Sequence, residues 1–263
     1  MVKIEQNVCI GCGACIKDCF GRALVLEDGK AKVVKPCIEC GHCVALCPVE
    51  AVSIPEYDMD DIEKYDADTF CIRPENMLHA IKFRRSIRNY RPDKIEREKV
   101  EHVLDAGRYT ATAKNLQGCT FVFVQDGVEE FKKLLWDEMP EVLAMLKKTA
   151  PVYARVFGSF YKKWQADPKE DNLFFNTPSL LVITSDHPLD GGLAAANIEN
   201  VAVAEGLGAL YSGYLMRIIS ARSALREWLG IGEKPVACCM LLGYPAVTYL
   251  RTAPRRKGDI IWK

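Results

Sequence analysis

Cys9, Cys12, Cys15 and Cys19 are separated by two, two and three residues, and Cys37, Cys40, Cys43 and Cys47 repeat that spacing at a constant offset of 28 residues. The repeat extends beyond the thiols. Ile10 matches Ile38, Gly13 matches Gly41 and Ala23 matches Ala51, which marks an internal duplication. Eight of the twelve cysteines lie in these two runs, leaving Cys71, Cys119, Cys238 and Cys239. Clustered thiols, with no apolar export segment before them, predict metal ligation rather than a disulfide scaffold.

Spacing narrows the metal. Thiolates are soft ligands that suit zinc or iron–sulfur clusters. Structural zinc sites commonly pair two C-x2-C elements across a longer gap. A C-x2-C-x2-C triplet instead wraps three thiolates around one cubane, while the displaced fourth cysteine reaches the other cluster. Two such runs predict two [4Fe–4S] sites, with zinc or inert thiols as the alternative. His42 lies inside a run whose thiolate positions already suffice, so it is expected beside the ligands or in solvent.

Composition excludes other classes. Lys and Arg number 35 against 35 Asp and Glu, so no broad field draws nucleic acid or an anionic membrane. No stretch approaches the ~18 consecutive apolar residues of a membrane span, and the expected location is cytoplasmic. A length of 263 residues with 49 % hydrophobic content predicts two domains of unequal size.

Residues 1–56 resemble the two-cluster bacterial-type ferredoxin. The resemblance implies one cluster on Cys9, Cys12, Cys15 and Cys47 and another on Cys37, Cys40, Cys43 and Cys19. Pro48 follows Cys47 as that pattern has it, whereas Phe20 follows Cys19. "ALVLEDGKAKVV" reads as two strands about Asp28-Gly29 and "AVSIP" as another. Gly11, Gly13 and Gly41 let the backbone approach inorganic sulfide. Residues 57–72, dominated by acids, read as a linker.

Residues 73–263 form the larger domain. Pro74 opens a helix. Helical spacing recurs in "IEREKVEHVLDAGRYT", "VEEFKKLLWDEM", "LAAANIENVAVAEGLGAL" and "LMRIISARSALREWLGI"; "CTFVFVQDG", "SLLVITSD" and "PVACCMLLGYP" read as strands. No G-x-G-x-x-G follows a strand, so a Rossmann site is unsupported. Arg84, Arg85, Ser86 and Arg88 present fork-shaped donors suited to phosphate or flavin carbonyl oxygens. Arg255 and Lys257 supply a second cationic cluster, and Asn115 and Gln117 lie just before a strand. The histidines at 79, 102 and 187 are expected to be structural or exposed.

In this order, with "AAANIENVAVAEGLGALYSGYLM" and "LLGYP", these features resemble the FMN-dependent nitroreductase family. The resemblance implies an α+β fold, a central mixed sheet flanked by helices, behind the small ferredoxin-like domain. It implies that Arg84, Arg85, Ser86 and Arg88 hold the flavin's phosphate and pyrimidine side, with Arg255 and Lys257 closing on the phosphate. The same resemblance implies that Asn115 contacts the isoalloxazine ring, that Gln117 lies near it, and that the backbone of Gly213, Tyr214 and Leu215 lines it near N5. "TATAK" stands where the family has a Ser/Pro-rich lead. The aromatic run over 151–178, with Tyr153, Phe157, Phe160, Tyr161, Trp164, Phe174 and Phe175, reads as packing or as a substrate lid.

Clusters move single electrons and a flavin takes one or two, so the join predicts an oxidoreductase. The expected route runs from a low-potential external donor, a ferredoxin or similar protein, through two [4Fe–4S] clusters and FMN to a small electrophilic acceptor: a nitro compound, quinone or activated alkene. NAD(P)H reduction of the flavin with export through the clusters is one alternative, and a non-catalytic electron-transfer module is another. The family likeness implies a homodimer.

Overall fold

A computed structural model describes residues 1–263. The chain divides into two compact units, Met1–Cys71 together with Thr112–Leu116, and Ile72–Ala111 together with Gln117–Lys263.

In the first unit the order is β1 (Lys3–Ile4), α1 (Ala14–Asp18), β2 (Leu24–Glu27), β3 (Lys30–Val33), α2 (His42–Ala45) and β4 (Val52–Ser53). Asp28 and Gly29 both take positive φ, 51° and 73°, which suits the tight turn that joins β2 to β3 antiparallel. β1 pairs with β4, so the unit's start and the end of the duplication close on each other. The 28-residue repeat is conformational as well as sequential. Gly11 and Glu39 have φ of 68° and 50°, Gly13 and Gly41 75° and 77°, Arg22 and Glu50 48° and 55°. Left-handed backbone recurs wherever the duplicated chain must turn a thiol inward, even where the residue is not glycine.

The second unit comprises α3 (Pro74–Phe83), α4 (Arg97–Arg108), β5 (Thr120–Val124), α5 (Val128–Asp137), α6 (Met139–Thr149), α7 (Pro151–Ala166), β6 (Ser179–Thr184), α8 (Pro188–Ala204), β7 (Gly208–Tyr211), α9 (Gly213–Ala221), α10 (Ser223–Trp228) and β8 (Val236–Gly243). Proline opens α3, α7 and α8, where a missing N–H costs nothing. The sheet runs β5-β6-β8-β7. Its strand pairings are antiparallel, and the parallel element is the isolated bridge Ser86↔Ala209.

Side chains alternate across this sheet. Leu180 and Val182 of β6 with Leu241 of β8 join Phe131, Leu135, Trp136, Phe157 and Leu215 on one face. Leu181, Ile183, Met240 and Leu242 face Val103, Ala195 and Ile198 of α4 and α8 on the other. β6 is buried along its whole length, the continuous apolar run "LLVI" of a strand covered on both sides. Gly107 permits the close approach of α4: a Cβ there would lie 2.8 Å from both Ile198 Cδ1 and Phe121 Cε1. Leu207 N–H donates to Ala202 O and Gly206 takes φ 75°, closing α8 in the manner that glycine favours.

The segment read as one helix from Leu215 is two. Arg222 is extended (φ −126°, ψ 116°) between α9 and α10. Its guanidinium lies 2.5 Å from Glu138 Oε2 at the start of α6, a tertiary contact that overrides local propensity. The segment "LAAANIENVAVAEGLGAL", read as helical, ends α8 at Ala204 and enters β7 at Gly208. The aromatic run begins as the helix α7, with Phe157 in the core and Tyr153 and Phe160 packed against it. No helix is long and apolar enough to cross a membrane.

Candidate cofactor-binding sites

The cysteine runs fold around two turns. Gly13 and Gly41, left-handed, precede α1 and α2, which place Cys15 and Cys43 in short helices. Cys19 and Cys47 follow those helices. There Ala23 N–H donates to Cys19 Sγ at 3.3 Å and Ala51 N–H to Cys47 Sγ at 3.2 Å. The alanine pair in the repeat is thus a pair of backbone donors, whose side chains are small because the position is buried. Ala31 N–H lies 3.5 Å from Cys9 Sγ.

Cys9, Cys12, Cys15 and Cys47 line one small cavity of about 20 Å³ with Gly11, Gly13 and apolar side chains. Three of these thiols come from the first run and one from the second. Cys37 and Cys43 pack against the group that contains Val52 and Ile54, while Cys19 and Cys43 both pack against the group formed by Cys9, Cys15, Leu24, Ala31 and Ala51. All eight thiols are free of disulfides.

The donor set fits a multi-iron centre. Burial pushes the Cys15 thiol up, and the neighbouring thiols of Cys12, Cys47 and Cys9 push it further. Burial also raises Cys43, with Cys40 and Cys15 adding to it. Backbone N–H groups of Ala31 and Gly11 lower Cys9. A crowd of sulfurs that resists ionisation by itself accepts it once a cation sits among them. No three of the His, Cys, Asp or Glu side chains converge on a single ion. Outside the thiols, His42 Nδ1 lies 2.9 Å from Asp18 Oδ2, both exposed, so the histidine joins α2 to α1 at the surface.

In the second unit the Arg84–Arg88 stretch runs alongside β7. Ser86 bridges Ala209 and Ile87 N–H donates to Ala209 O at 3.0 Å. Ile87 is buried, and Gly208 admits it, since a Cβ there would collide with Ile87 Cγ1. Anchored so, the flanking polar side chains remain outside the core.

They are not equally available. Arg84 Nε lies 3.2 Å from Glu199 Oε2 on α8, a carboxylate that is nearly buried. Tyr211 OH donates to the same oxygen at 3.3 Å and to Ala195 O at 3.0 Å. Burial pushes Glu199 up, opposed by Arg84 and by the Tyr211 hydroxyl. Sequence reasoning missed this pair because its members stand 115 residues apart. The one available signal was a lone acid in the apolar helix "AAANIENVAVA". Arg85 lies 5.7 Å over the Tyr249 ring, and Arg88 Nη1 lies 3.5 Å from Ser86 O.

At the far end of β7, Ser212 caps α9 by accepting from Leu215 N–H at 3.2 Å. Of the three backbone positions expected at a ring, Leu215 therefore has its N–H in use. Gly213 opens onto free space, with nothing within 4 Å of a Cβ. Tyr214 is walled by Phe157, Tyr153 and Phe160 at centroid distances of 5.3, 6.2 and 6.0 Å. Arg255 and Lys257 are exposed in an irregular tail that follows β8. Gln117 is exposed at φ 48°. Asn115 belongs to the first unit, where its amide donates to Ile38 O, Glu39 O and Tyr57 OH.

A second cleft, of about 510 Å³ beside β5, is lined by Ile95, Arg97, Gln125 and Trp228 among others. No expected site residue lines it.

Comparison with known proteins places both units. The Nitroreductase family model matches residues 81–244 and a 4Fe-4S dicluster domain model matches residues 1–48. A ferredoxin from Pyrobaculum islandicum is 46 % identical over 54 residues, 20 % of this chain and 50 % of that protein; the chain thus spans about half the length of this curated relative. Among solved structures, a nitroreductase with bound FMN from Bacteroides fragilis NCTC 9343 aligns at TM-score 0.56 and 20 % identity, over 71 % of this chain and 98 % of the other. A nitroreductase with bound FMN from Desulfitobacterium hafniense DCB-2 aligns at 0.57 and 18 %, over 71 % and 97 %. An FMN-dependent nitroreductase from Clostridium difficile R20291 aligns at 0.54 and 21 %, over 73 % and 100 %. A model match across more than half the chain, on an α+β sheet of that fold, establishes that the chain belongs to the nitroreductase family, with a 4Fe-4S dicluster ferredoxin domain fused ahead of it.

Proposed function

We propose that this protein is an iron–sulfur flavoprotein oxidoreductase. Electrons from a low-potential donor, a ferredoxin or similar protein, enter two [4Fe–4S] clusters and pass to FMN, and a small electrophilic acceptor is reduced. The observation that carries the reading is the crossed lining of one cavity by Cys9, Cys12, Cys15 and Cys47, ahead of a sheet of nitroreductase fold. On this reading the second cluster is held by Cys37, Cys40, Cys43 and Cys19. Bound FMN supplies the exchange between single-electron arrivals and two-electron reduction.

The chain's residues bind and orient. Arg85, Ser86 and Arg88, with Arg255 and Lys257, hold the phosphate. Arg84 is fixed by Glu199 and offers the rest of its donor fork to the flavin's pyrimidine side. Cationic charge there favours the reduced, anionic ring. The open backbone at Gly213 and Tyr214, on the N-terminal end of α9, takes the edge of the ring, with Gln117 near it. The aromatic wall of Tyr153, Phe157 and Phe160 behind Tyr214 excludes water. Nitro compounds, quinones and activated alkenes are the acceptor class. The working form is a homodimer by family likeness, and its location is cytoplasmic, since free thiols persist in reducing surroundings.

Anaerobic purification with metal, sulfide and flavin analysis tests this directly. About eight iron, about eight sulfide and one FMN per chain are expected for two cubanes and a flavin; zinc in place of iron, or no flavin after reconstitution, overturns the reading. Stopped-flow mixing with reduced ferredoxin, NADH or NADPH then identifies the donor. Rapid flavin bleaching by a nicotinamide overturns the donor assignment, and failure of every small acceptor marks an electron carrier.

A further inference from the structure

The turn between Cys37 and Cys40 is Ile38-Glu39, and Glu39 holds φ 50° without being glycine. Its counterpart Gly11 is fixed by packing, because a Cβ there would collide with the Gly29 carbonyl of the β2–β3 turn. In the second run the Glu39 carboxylate pairs with the Met1 ammonium at 3.0 Å, and the turn's carbonyls are held from elsewhere. The partner comes from Thr112–Leu116: Asn115 Nδ2 lies 3.2 Å from Ile38 O, 3.0 Å from Glu39 O and 3.3 Å from Tyr57 OH. One amide thus grips both carbonyls of the two residues that separate the thiols.

The grip is held at a conformational cost. Lys114, Asn115 and Gln117 have φ of 51°, 56° and 48°. Left-handed backbone costs an L residue ~1–2 kcal/mol and is tolerated best by Asn. Such strain persists where the surroundings over-determine it. The hydrogen bonds of Asn115 to Ile38, Glu39 and Tyr57 are such a determinant.

We propose that Asn115 is a positioning residue of the second cysteine run: by holding the carbonyls of Ile38 and Glu39 it fixes the Cys37–Cys40 turn and so the stability of the cluster those thiols bind. This rests on the two-cluster reading above and gives Asn115 a role at a cluster. The amide's two hydrogens are shared among three oxygens, so the carboxylate of Asp at this position would face two carbonyls with no hydrogen to give.

The test compares wild-type holoprotein with Asn115→Gly, which keeps the positive φ without strain and removes only the amide, and with Tyr57→Phe as a control that spares both carbonyls. Amide hydrogen exchange over residues 38–41 is expected to quicken about tenfold in Asn115→Gly, the factor that one lost hydrogen bond of ordinary strength represents. Exchange over residues 10–13 is expected to stay unchanged. In chelator-driven iron release, the half of the iron that leaves first is expected to leave about tenfold sooner in that variant than in wild type. Unchanged exchange and release overturn the proposal. So does loss of flavin with the iron untouched, which returns Asn115 to the ring. Wild-type protein without iron defeats the underlying reading instead, a separate outcome. Should Asn115→Gly fail to accumulate folded, the isosteric Asn115→Asp is read in the same way.

Discussion

The two halves of the cysteine duplication share their backbone and differ in what holds it. In the first, Gly11 sits against Gly29 O, Lys30 Nζ donates to the Cys9 carbonyl, and Cys9 and Cys15 are buried. In the second, Glu39 stands where Gly11 does, and the corresponding thiols Cys37 and Cys43 are only half-buried. The turn there depends on side-chain hydrogen bonds from Asn115. The spacing of thiols is what a cluster demands of both halves, so it repeats. The residue at a left-handed position answers to whatever packs against it, so it does not.

Breaking the packing in the first half has the largest expected effect. Gly11→Ala combines positive φ with a clash against a backbone carbonyl, and about 2–5 kcal/mol of destabilisation follows from strain and overpacking together. In a unit with so small a core the expected outcome is loss of iron from both clusters, read by metal analysis and a urea titration. Glu39→Ala, at the equivalent position, removes an ion pair with the exposed Met1 ammonium and should retain its iron. Equal damage at both positions would break the comparison.

Exchanging single ligands sharpens it. Cys47→Ser removes the thiol that the second half lends to the first, and Cys19→Ser the reverse. Each is expected to halve the iron, with different electron paramagnetic resonance signals left behind; identical residual signals would mean the runs do not cross. A smaller contrast should appear on limited exposure to air. Iron from the less buried Cys37 triplet is expected to leave several-fold faster than iron from the Cys9 triplet, giving a biphasic loss of visible absorbance. The smallest effect belongs to Lys30→Met, which removes one hydrogen bond to Cys9 O. About 1 kcal/mol should be lost from the first half, with exchange rates over residues 38–41 unmoved.

What could be read in advance divides along the same line. The duplication, the Asp28-Gly29 hairpin, and the strands β5, β6 and β8 rest on local periodicity and turn chemistry, which a sequence displays. β7 was hidden because "GALY" is short and follows directly on an apolar helix, so its period merges with that of α8. The break at Arg222 required a carboxylate 84 residues away. Arg84 announced a cation, but its pairing with Glu199 depended on α8 packing beside the sheet. Asn115 carried the right chemistry for a ring contact, and the structure finds its amide among the carbonyls of a cysteine turn. In each case the residue type was legible and its partner was not, because partners are chosen by tertiary packing.

β8 lies between β6 and β7, although it comes after both in the chain. On the ribosome, therefore, the central sheet stays without its middle strand until residue 243 has emerged, whereas every segment of the thiol-bearing unit is available by residue 116. Synthesis proceeds at ~5–20 residues per second, which leaves an interval of several seconds in which the front of the nascent polypeptide can take up metal before its larger companion is able to close.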